Sequence, residues 1–202
     1  PSVTTLYTLT ATHNASGCQA TGSVNVIVDI EYPIVNAGND FTITCSQIPN
    51  GQAIGMTSIS GVTYTWSTTA GLSPTTSTNP VANPTTSTTY TLTAVDQSSG
   101  CISQDDVTVT VNKTPPAVNA GPDFTINCLQ NQAGDTIGMA PVTGVNYQWS
   151  NNVGLSSSGV SNPIATPTVT TTYTLTATNI SNGCTAQDAV TVSVNTTPPM
   201  AN

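Results

Sequence analysis

The chain has 202 residues, of which 37% are hydrophobic and 5% are charged; one Lys and nine acidic residues give a formal net charge of -8. Because almost no cationic side chain is available to neutralise phosphates, this composition excludes nucleic acid as a partner. No stretch approaches the roughly 18 uninterrupted apolar residues of a membrane helix, so we expect no membrane insertion in this segment.

The chain opens with the end of a repeated unit. Tyr7 and Cys18 recur 83 positions later as Tyr90 and Cys101. We therefore predict that residues 1–32 are the C-terminal strands of a preceding repeat, that 33–115 and 116–199 are complete repeats, and that 200–202 start the next linker. A unit of this length has the size of a small β-sandwich and exceeds the usual solenoid periods.

Strand patterns follow one another through the first complete repeat. In chain order we predict strands at 34–36 with 40–45, 53–57, 62–67, 79–83, 88–95 and 104–111. The alternation is clearest near the end, where Tyr90, Leu92 and Ala94 share one face and threonines share the other. No segment has the apolar spacing of a helix. The sequence thus predicts an all-β chain of tandem immunoglobulin-like sandwiches.

Proline marks the junctions between repeats. The last strand of one repeat runs into the next first strand through Pro33 and through Pro115-Pro116. Proline fixes φ and favours extended geometry, so short and stiff junctions are expected. The array is therefore predicted to be an elongated rod.

Four aromatic residues are predicted to lie in the cores. Trp66 and Trp149 each follow a repeat's first cysteine by 21 positions, and Tyr90 and Tyr173 open the penultimate strand. A large apolar side chain on the inward face of a strand typically fills the core. For the tryptophans, a platform that stacks against sugars is the functional alternative.

The five cysteines favour disulfides formed in an oxidising compartment, which predicts a secreted or cell-surface protein. Pairing within each repeat would join Cys45 to Cys101 and Cys128 to Cys184, leaving Cys18 to a partner outside this segment. This is the pairing we favour. The alternative is a bridge between repeats from Cys45 to Cys184, because in an immunoglobulin topology the two cysteines of one repeat lie at opposite ends.

Acidic residues recur near the predicted domain boundaries. Carboxylates at a junction could bind calcium and stiffen it, although solvated turn aspartates are the simpler interpretation and no D-x-D-x-D loop is present. No other cofactor is expected. The calcium candidates are Asp40, Asp105, Asp106, Asp123 and Asp188.

Catalysis has little support in the sequence. The single histidine, His13, lies in the incomplete first unit, where the complete repeats carry Asp96 and Asn179. No repeated position places a base beside a nucleophile. We therefore predict that the chain is not an enzyme.

The ordered motifs VNAGxDFTIxC, YxW, GLS, NPxAxPTxxTTYTLTA, GC and DxVTV resemble the PKD-like, immunoglobulin-like tandem repeats of large secreted proteins of Bacteroidota. The resemblance covers both complete repeats, but WSTTAGLS and WSNNVGLS stand where the PKD type has WDFGDG. It implies type IX secretion, cell-surface display, and roles in gliding, attachment or fibres. Asp135-Thr136-Ile137 likewise resembles the O-glycosylation signal of that phylum, which makes Thr136 a candidate glycan site.

The sequence is compatible with three functions. The leading one is a structural or adhesive segment of an extracellular stalk, adhesin or filament, with neighbouring repeats or copies of itself as partners. The second is a carbohydrate-binding or spacer module of a secreted polysaccharide-degrading enzyme. The third is a fibre subunit that exchanges strands with a neighbour. Surface glycans or other cells are further candidate partners.

Overall fold

The computed structural model describes residues 1–196, and within this range the chain is built from strands, turns and loops without a helix. It follows that no helix of these residues could cross a membrane. The strands are β1 (Thr5–Thr12), β2 (Gln19–Val26), β3 (Phe41–Thr44), β4 (Gln52–Ala53), β5 (Val62–Trp66), β6 (Leu72–Ser73), β7 (Val81–Ala82), β8 (Thr88–Asp96), β9 (Ile102–Asn112), β10 (Phe124–Asn127), β11 (Asp135–Thr136), β12 (Val145–Ser150), β13 (Ile164–Ala165), β14 (Thr171–Asn179) and β15 (Thr185–Asn195).

The Val and Thr alternation produces the long central strands. β8 and β9 pair antiparallel, with Tyr90 opposite Val107. Tyr90, Leu92, Ala94 and Val107 are fully buried, whereas the intervening threonines of β8 are half-buried. A period of two residues therefore places one row of side chains in the core and the other towards solvent.

Each complete repeat forms two sheets. One sheet has the order β3-β9-β8-β5 and its counterpart has the order β10-β15-β14-β12; the accompanying small sheets are β4-β7-β6 and β11-β13. β10 runs parallel to β15, while β14 pairs antiparallel with both β12 and β15. This arrangement confirms the predicted all-β, immunoglobulin-like fold class.

The short strands depart from the predicted positions. The structure has no strand at 34–36, and the strand predicted at 53–57 is the two-residue β4. β6 was not predicted, because two residues show no period; it is held by pairing Leu72 with Ala82 in β7.

The described chain divides into two compact units. Unit 1 contains residues 1–40, 53–84 and 88–109; unit 2 contains 41–52, 85–87 and the residues from 110 onwards. The core of unit 2 packs nine residues from both of its sheets: Ala120, Ile126, Ile137, Trp149, Ala165, Tyr173, Leu175, Val190 and Val192. The repeat boundaries at residues 33 and 116 stay predictions, and the segment 200–202 lies outside the described residues.

β1 and β2 form an antiparallel hairpin in unit 1 with Tyr7 opposite Val24. Its apolar side chains are exposed, including Leu9 at 75% and Val24 at 60%. The equivalent residues of the complete repeat, Leu92 and Val107, are fully buried. The hairpin therefore has the sequence of a core-forming strand pair without a covered core face.

Candidate functional site

Unit 2 contains a covalent joint between distant parts of the chain. A disulfide joins Cys45 to Cys184 across 139 residues of sequence, with a Cα–Cα distance of 5.0 Å. Cys45 follows β3 of the first complete repeat, and Cys184 precedes β15 of the second. The bond therefore connects consecutive repeats.

The favoured pairing within each repeat is wrong. Cys18, Cys101 and Cys128 are unpaired within residues 1–196. The reason is the length of the last strand, which runs from Thr185 to Asn195 and spans roughly 30 Å at 3.3 Å per residue. Cys184 precedes its start, whereas the Cys128 thiol lies 3.9 Å from the carbonyl of Thr196, just past its end. A bridge requires Cα atoms within about 7 Å.

Asn182 organises the polar part of the joint. Its backbone carbonyl accepts hydrogen bonds from the amides of Cys45 at 3.1 Å and Ser46 at 3.3 Å. Its side-chain Nδ2 donates to Asn112 Oδ1 at 3.0 Å and to the carbonyl of Thr114 at 2.9 Å. Asn182 is 1% exposed, so a buried amide with its partners satisfied fixes the linker 112–114 against this turn.

Gly183 allows the close approach at this joint. Its φ is +68°, and a Cβ built there would lie 2.4 Å from the Cβ of Ser46. Any other residue would be strained and would push the Cys45 loop away. The sequence pattern does not reveal this role of Gly183, because Ser46 is 137 positions distant in the chain.

Two of the calcium candidates bind backbone amides. Asp105 Oδ2 accepts a hydrogen bond from the amide of Ala37, and Asp188 Oδ2 accepts one from Ala120, both at 2.8 Å. Ala37 and Ala120 are fully buried. These carboxylates therefore satisfy buried donors at the entrance to each repeat.

Two further candidates lie at the entrance to each repeat and accept hydrogen bonds from amides of the last strand. Asp40 Oδ1 accepts from the amide of Thr108, and Asp123 Oδ1 accepts from Thr191, both at 2.7 Å. Asp106 is exposed on β9. Among residues 1–196 no three His, Cys, Asp or Glu side chains gather as they would around a metal ion. The structure thus gives four of the five acids a hydrogen-bonding role, and calcium binding stays a prediction.

We expect Asp188→Ala to destabilise its repeat by about 1 to 3 kcal/mol, because the buried amide of Ala120 would lose its acceptor. Asp188→Asn keeps an acceptor oxygen and should cost less. Urea unfolding of the three proteins, each with and without a chelator, provides the measurement. A urea midpoint that falls on chelation of the wild-type chain would show that calcium contributes to stability.

The predicted core aromatics occupy three environments. Tyr90 and Tyr173 are fully buried, and their hydroxyls donate to the carbonyls of Ala70 at 2.6 Å and Val153 at 2.7 Å. Burial raises the pKa of both phenols. Each hydroxyl therefore fixes the loop that follows the repeat's tryptophan.

The two tryptophans differ. Trp149 is 2% exposed, and its Nε1 donates to the carbonyl of Val160 at 2.9 Å. Trp66 is half-buried and packs edge-on against Tyr90, with ring centroids 6.3 Å apart. Its Nε1 is buried without a hydrogen-bond partner among the described residues. Trp149 is too deeply buried to be the exposed platform that sugar stacking requires.

One turn position carries a different residue in each copy. His13 Nδ1 lies 2.7 Å from Ser16 Oγ, Asp96 Oδ1 accepts from the amide of Ser98 at 2.9 Å, and Asn179 Oδ1 accepts from the amide of Ser181 at 2.9 Å. All three side chains cap the turn between the last two strands of their repeats. The single histidine therefore has a structural partner.

We expect the Asp96 turn to be sensitive to acid. Hydrogen bonds from Ser98 and Ser99 hold the pKa of the Asp96 carboxyl at about 2, below its usual 3.8. Because the folded pKa is depressed, the contribution of Asp96 is complete above pH 3.8 and is lost as the pH falls through about 2. The amide NMR shifts of Ser98 and Ser99 should follow that titration.

The Asp96→Asn variant is the control for this titration, since Asn179 already caps the equivalent turn of the second repeat without titrating. In that variant the amide shifts of Ser98 should stay constant between pH 4 and pH 2. A shift with a midpoint near 4 in the wild-type chain would contradict the capping role of the carboxylate.

A groove of unit 2 is lined mainly by apolar and neutral polar side chains. This groove, of about 450 Å³, lies beside Pro116, Val142 and Ile180. Its lining includes the hydroxyls of Thr143 and Ser181 but no acidic, basic, His or Cys side chain. A hydroxyl without an adjacent base is a weak nucleophile.

Thr136, the candidate glycan site, is exposed at the end of β11.

No protein-family model matches the chain, and no curated protein matches it either. Solved structures with some likeness include protocadherin gamma C5 EC1-3 (TM-score 0.43, 13% identity, 96% of this chain and 78% of that chain) and Drosophila N-cadherin EC1-4 (0.43, 12%, 96% and 58%). A third is titin domains I67-I69 (0.42, 13%, 81% and 65%). The chain spans less than two thirds of the last two, and TM-scores in this range do not identify a function.

Proposed function

We propose that this chain is a structural or adhesive segment of a secreted, cell-surface stalk, adhesin or filament. The observation that carries the proposal is the joint at Cys45 and Cys184, where a disulfide and the buried Asn182 tie one repeat to the next. A joint of this kind resists bending and separation, which serves a protein that transmits force or spans a distance.

The surface chemistry supports the same role. Solvation depends on hydroxyl and amide side chains, since charged residues make up only 5% of the chain. The disulfide requires an oxidising compartment, which supports an extracellular location. The finer assignment, to PKD-like repeats exported by type IX secretion and used in gliding or attachment, rests on the motif resemblance.

Electron micrographs of the native protein that contains this segment test the proposal. We expect thin rods or fibres whose length scales with the number of repeats. Compact particles of enzyme size would overturn it. A glycan array probed with the same protein separates the carbohydrate-binding alternative, because specific binding to one glycan class would favour that function instead.

A second candidate is the strand-exchanging fibre subunit, which would use the core face of the hairpin β1–β2. Tyr7, Leu9 and Val24 occupy positions that are fully buried in the complete repeat. We propose that the first strands of another copy of this repeat cover them. These strands would complete the fold around the hairpin, just as β3–β7 complete the fold around β8 and β9 in the first complete repeat.

Sedimentation of the 202-residue chain tests this candidate. The wild-type chain should self-associate with increasing concentration, and Leu9→Ser with Val24→Ser should abolish the association. Leu6→Ser is the matched control, because Leu6 is also exposed, at 64%, but occupies the opposite face of β1. A monomeric wild-type chain at all concentrations would remove the candidate.

A further inference from the structure

Cys128 lies on a loop with the same backbone geometry as the loop of the bonded Cys45. In residues 44–47 the first amide donates to the fourth carbonyl at 2.9 Å, and in residues 127–130 the equivalent distance is 3.0 Å. The side chains of Thr44 and Asn127 both accept from the fourth amide at 2.8 Å. The unpaired Cys128 is therefore held in the conformation that forms a bond in the preceding repeat.

The other two unpaired cysteines lie on the same turn as the bonded Cys184. In residues 179–184, 96–101 and 13–18, the amide of the first residue donates to the cysteine carbonyl at 2.9, 3.0 and 2.8 Å respectively. The glycine before each cysteine donates back to the first carbonyl at 2.8, 2.9 and 2.8 Å. Cys18 and Cys101 thus occupy a turn already shaped for bonding.

The polar contacts of the formed joint use mainly the backbone. The amides of Cys45 and Ser46 donate to the carbonyl of Asn182, and every residue can supply such groups. The amides of Cys128 and Leu129, with the carbonyl of Ser99, stand at the equivalent positions. Two side-chain contacts are special to the formed joint. Asn182 contacts the linker, which the shorter serine cannot do, and Ser46 Oγ donates to the Asn182 carbonyl at 3.3 Å, which Leu129 cannot do.

The space for a neighbouring loop also recurs. The close contact of Gly183 with Ser46 exists only because glycine has no Cβ. Gly100 and Gly17 hold the same position with φ of +75° and +72°, and no described atom lies within 4 Å of a Cβ built on either. Leu129, the counterpart of Ser46, is 92% exposed.

We propose that Cys128, Cys101 and Cys18 are bonding halves of the same joint, each made to pair with another copy of this repeat. Cys128 bonds the second cysteine of the following copy; Cys101 and Cys18 bond the first cysteine of the preceding copy. Each bond spans the same 139 residues as Cys45 to Cys184. Every repeat is therefore linked to both neighbours, and the array has a covalent connection in parallel with the peptide backbone.

The bond forms by thiol–disulfide exchange with a small-molecule or protein disulfide. The Cys128 thiolate attacks one sulfur of the oxidant, breaks its S–S bond and releases one oxidant thiolate. The partner cysteine thiolate then attacks the mixed disulfide and releases the second oxidant thiolate. The two cysteines lose two electrons and two protons, and the oxidant disulfide becomes two thiols.

An extended chain tests the proposal. Residues 1–198 are followed by a further copy of residues 33–115, since Pro33, Pro116 and Pro199 are equivalent in the repeat. The protein is refolded in a glutathione redox buffer, alkylated and mapped without reduction. We expect Cys128 joined to the appended copy of Cys101, Cys45 joined to Cys184, and free thiols at Cys18, Cys101 and the appended copy of Cys45.

Alkylated Cys128 beside an intact Cys45–Cys184 bond would overturn the proposal, and so would Cys128 bonded inside its own repeat. In a second variant the glycine of the appended copy that corresponds to Gly100 is replaced by alanine. This variant should lose the new bond at least several-fold while keeping the bond between Cys45 and Cys184. Equal yields of the new bond in both extended chains would show that it forms without the joint, which also overturns the proposal.

The inference deepens the proposed function by naming the partner of each joint, and it rests on that function only in treating the chain as part of an array. The two fail separately. A free Cys128 in the extended chain would leave the structural role to be decided by the micrographs. Compact particles in the micrographs would leave the mapped bond between Cys128 and the appended copy of Cys101 unchanged.

Discussion

Trypsin should cut the denatured, unreduced chain once without separating its two fragments. Lys113 is the only Lys or Arg residue, so cleavage yields residues 1–113 and 114–202. Cys45 belongs to the first fragment and Cys184 to the second, and their disulfide holds the two together. We expect one species before reduction and two after it.

The result discriminates sharply between the two disulfide patterns. Bonds from Cys45 to Cys101 and from Cys128 to Cys184 would each lie inside one fragment, so cleavage alone would release both. The free thiols at Cys18, Cys101 and Cys128 must be alkylated before denaturation, because a thiolate can exchange with the existing bond.

Two variants serve as controls. Cys184→Ser should give separate fragments without reduction, whereas Cys101→Ser should behave as the wild-type chain. Separate fragments from the unreduced wild-type chain would contradict the joint and remove the main support for the proposed function.

The disulfide between Cys45 and Cys184 would also keep the chain connected after proteolytic cleavage. Lys113, the single cleavage site for a trypsin-like protease, is exposed in the linker between the repeats. A cut there leaves the repeats connected through Cys45 and Cys184. In the chain-entropy account, closing a loop of this length also stabilises the folded state by up to about 5 kcal/mol. We infer that the joint preserves connection in an environment that contains secreted proteases.

The long strands could be predicted from the sequence because their signal is local. In β8 and β9 the alternation of Val, Leu or Tyr with Thr spans several residues, and one face of each strand is buried. β6 consists of Leu72 and Ser73 only, and it exists because β7 offers a partner. A two-residue strand has no period, so no local pattern predicts it.

The polar contacts of the joint and the roles of the acids could not be predicted, because the partners are distant in the chain. The amide of Ala37 meets Asp105, and that of Ala120 meets Asp188, each at a separation of 68 residues. No local pattern ties an aspartate to an amide at that distance, so the sequence left the acids as solvated turn aspartates or as calcium candidates. The disulfide alternative from Cys45 to Cys184 was identifiable from the expected topology, in which the two cysteines of one repeat lie at opposite ends, and the structure shows that this topological argument should have outweighed the even pairing within each repeat.

The two tryptophans should respond differently to the same substitution. Trp149→Phe removes the hydrogen bond from Nε1 to the carbonyl of Val160 inside the core of unit 2. Trp66→Phe removes a buried N–H group that has no partner among the described residues. Each change also loses buried ring area, at a cost of about 1 to 2 kcal/mol for Trp149 and less for the half-buried Trp66.

Hydrogen bonding adds to the loss of stability in Trp149→Phe and offsets the loss in Trp66→Phe. A lost hydrogen bond costs about 1 kcal/mol, and a buried donor without a partner costs about 1 to 3 kcal/mol, which its removal recovers. We therefore expect Trp149→Phe to destabilise its repeat by about 2 to 3 kcal/mol and Trp66→Phe to be nearly neutral. The sequence around the two residues differs after the tryptophan, where Pro74 to Ser77 stand in place of Ser157 to Val160.

Hydrogen exchange in urea measures each repeat separately, with the amides of β12 reporting on Trp149 and those of β5 reporting on Trp66. Tyr90→Phe and Tyr173→Phe provide the matched control, since both hydroxyls donate to a loop carbonyl and should cost the same, about 1 kcal/mol. If the tyrosine pair agrees and the tryptophan pair also loses equal stability, then the indole N–H of Trp66 is satisfied in solution, and the two cores are equivalent despite their different loops.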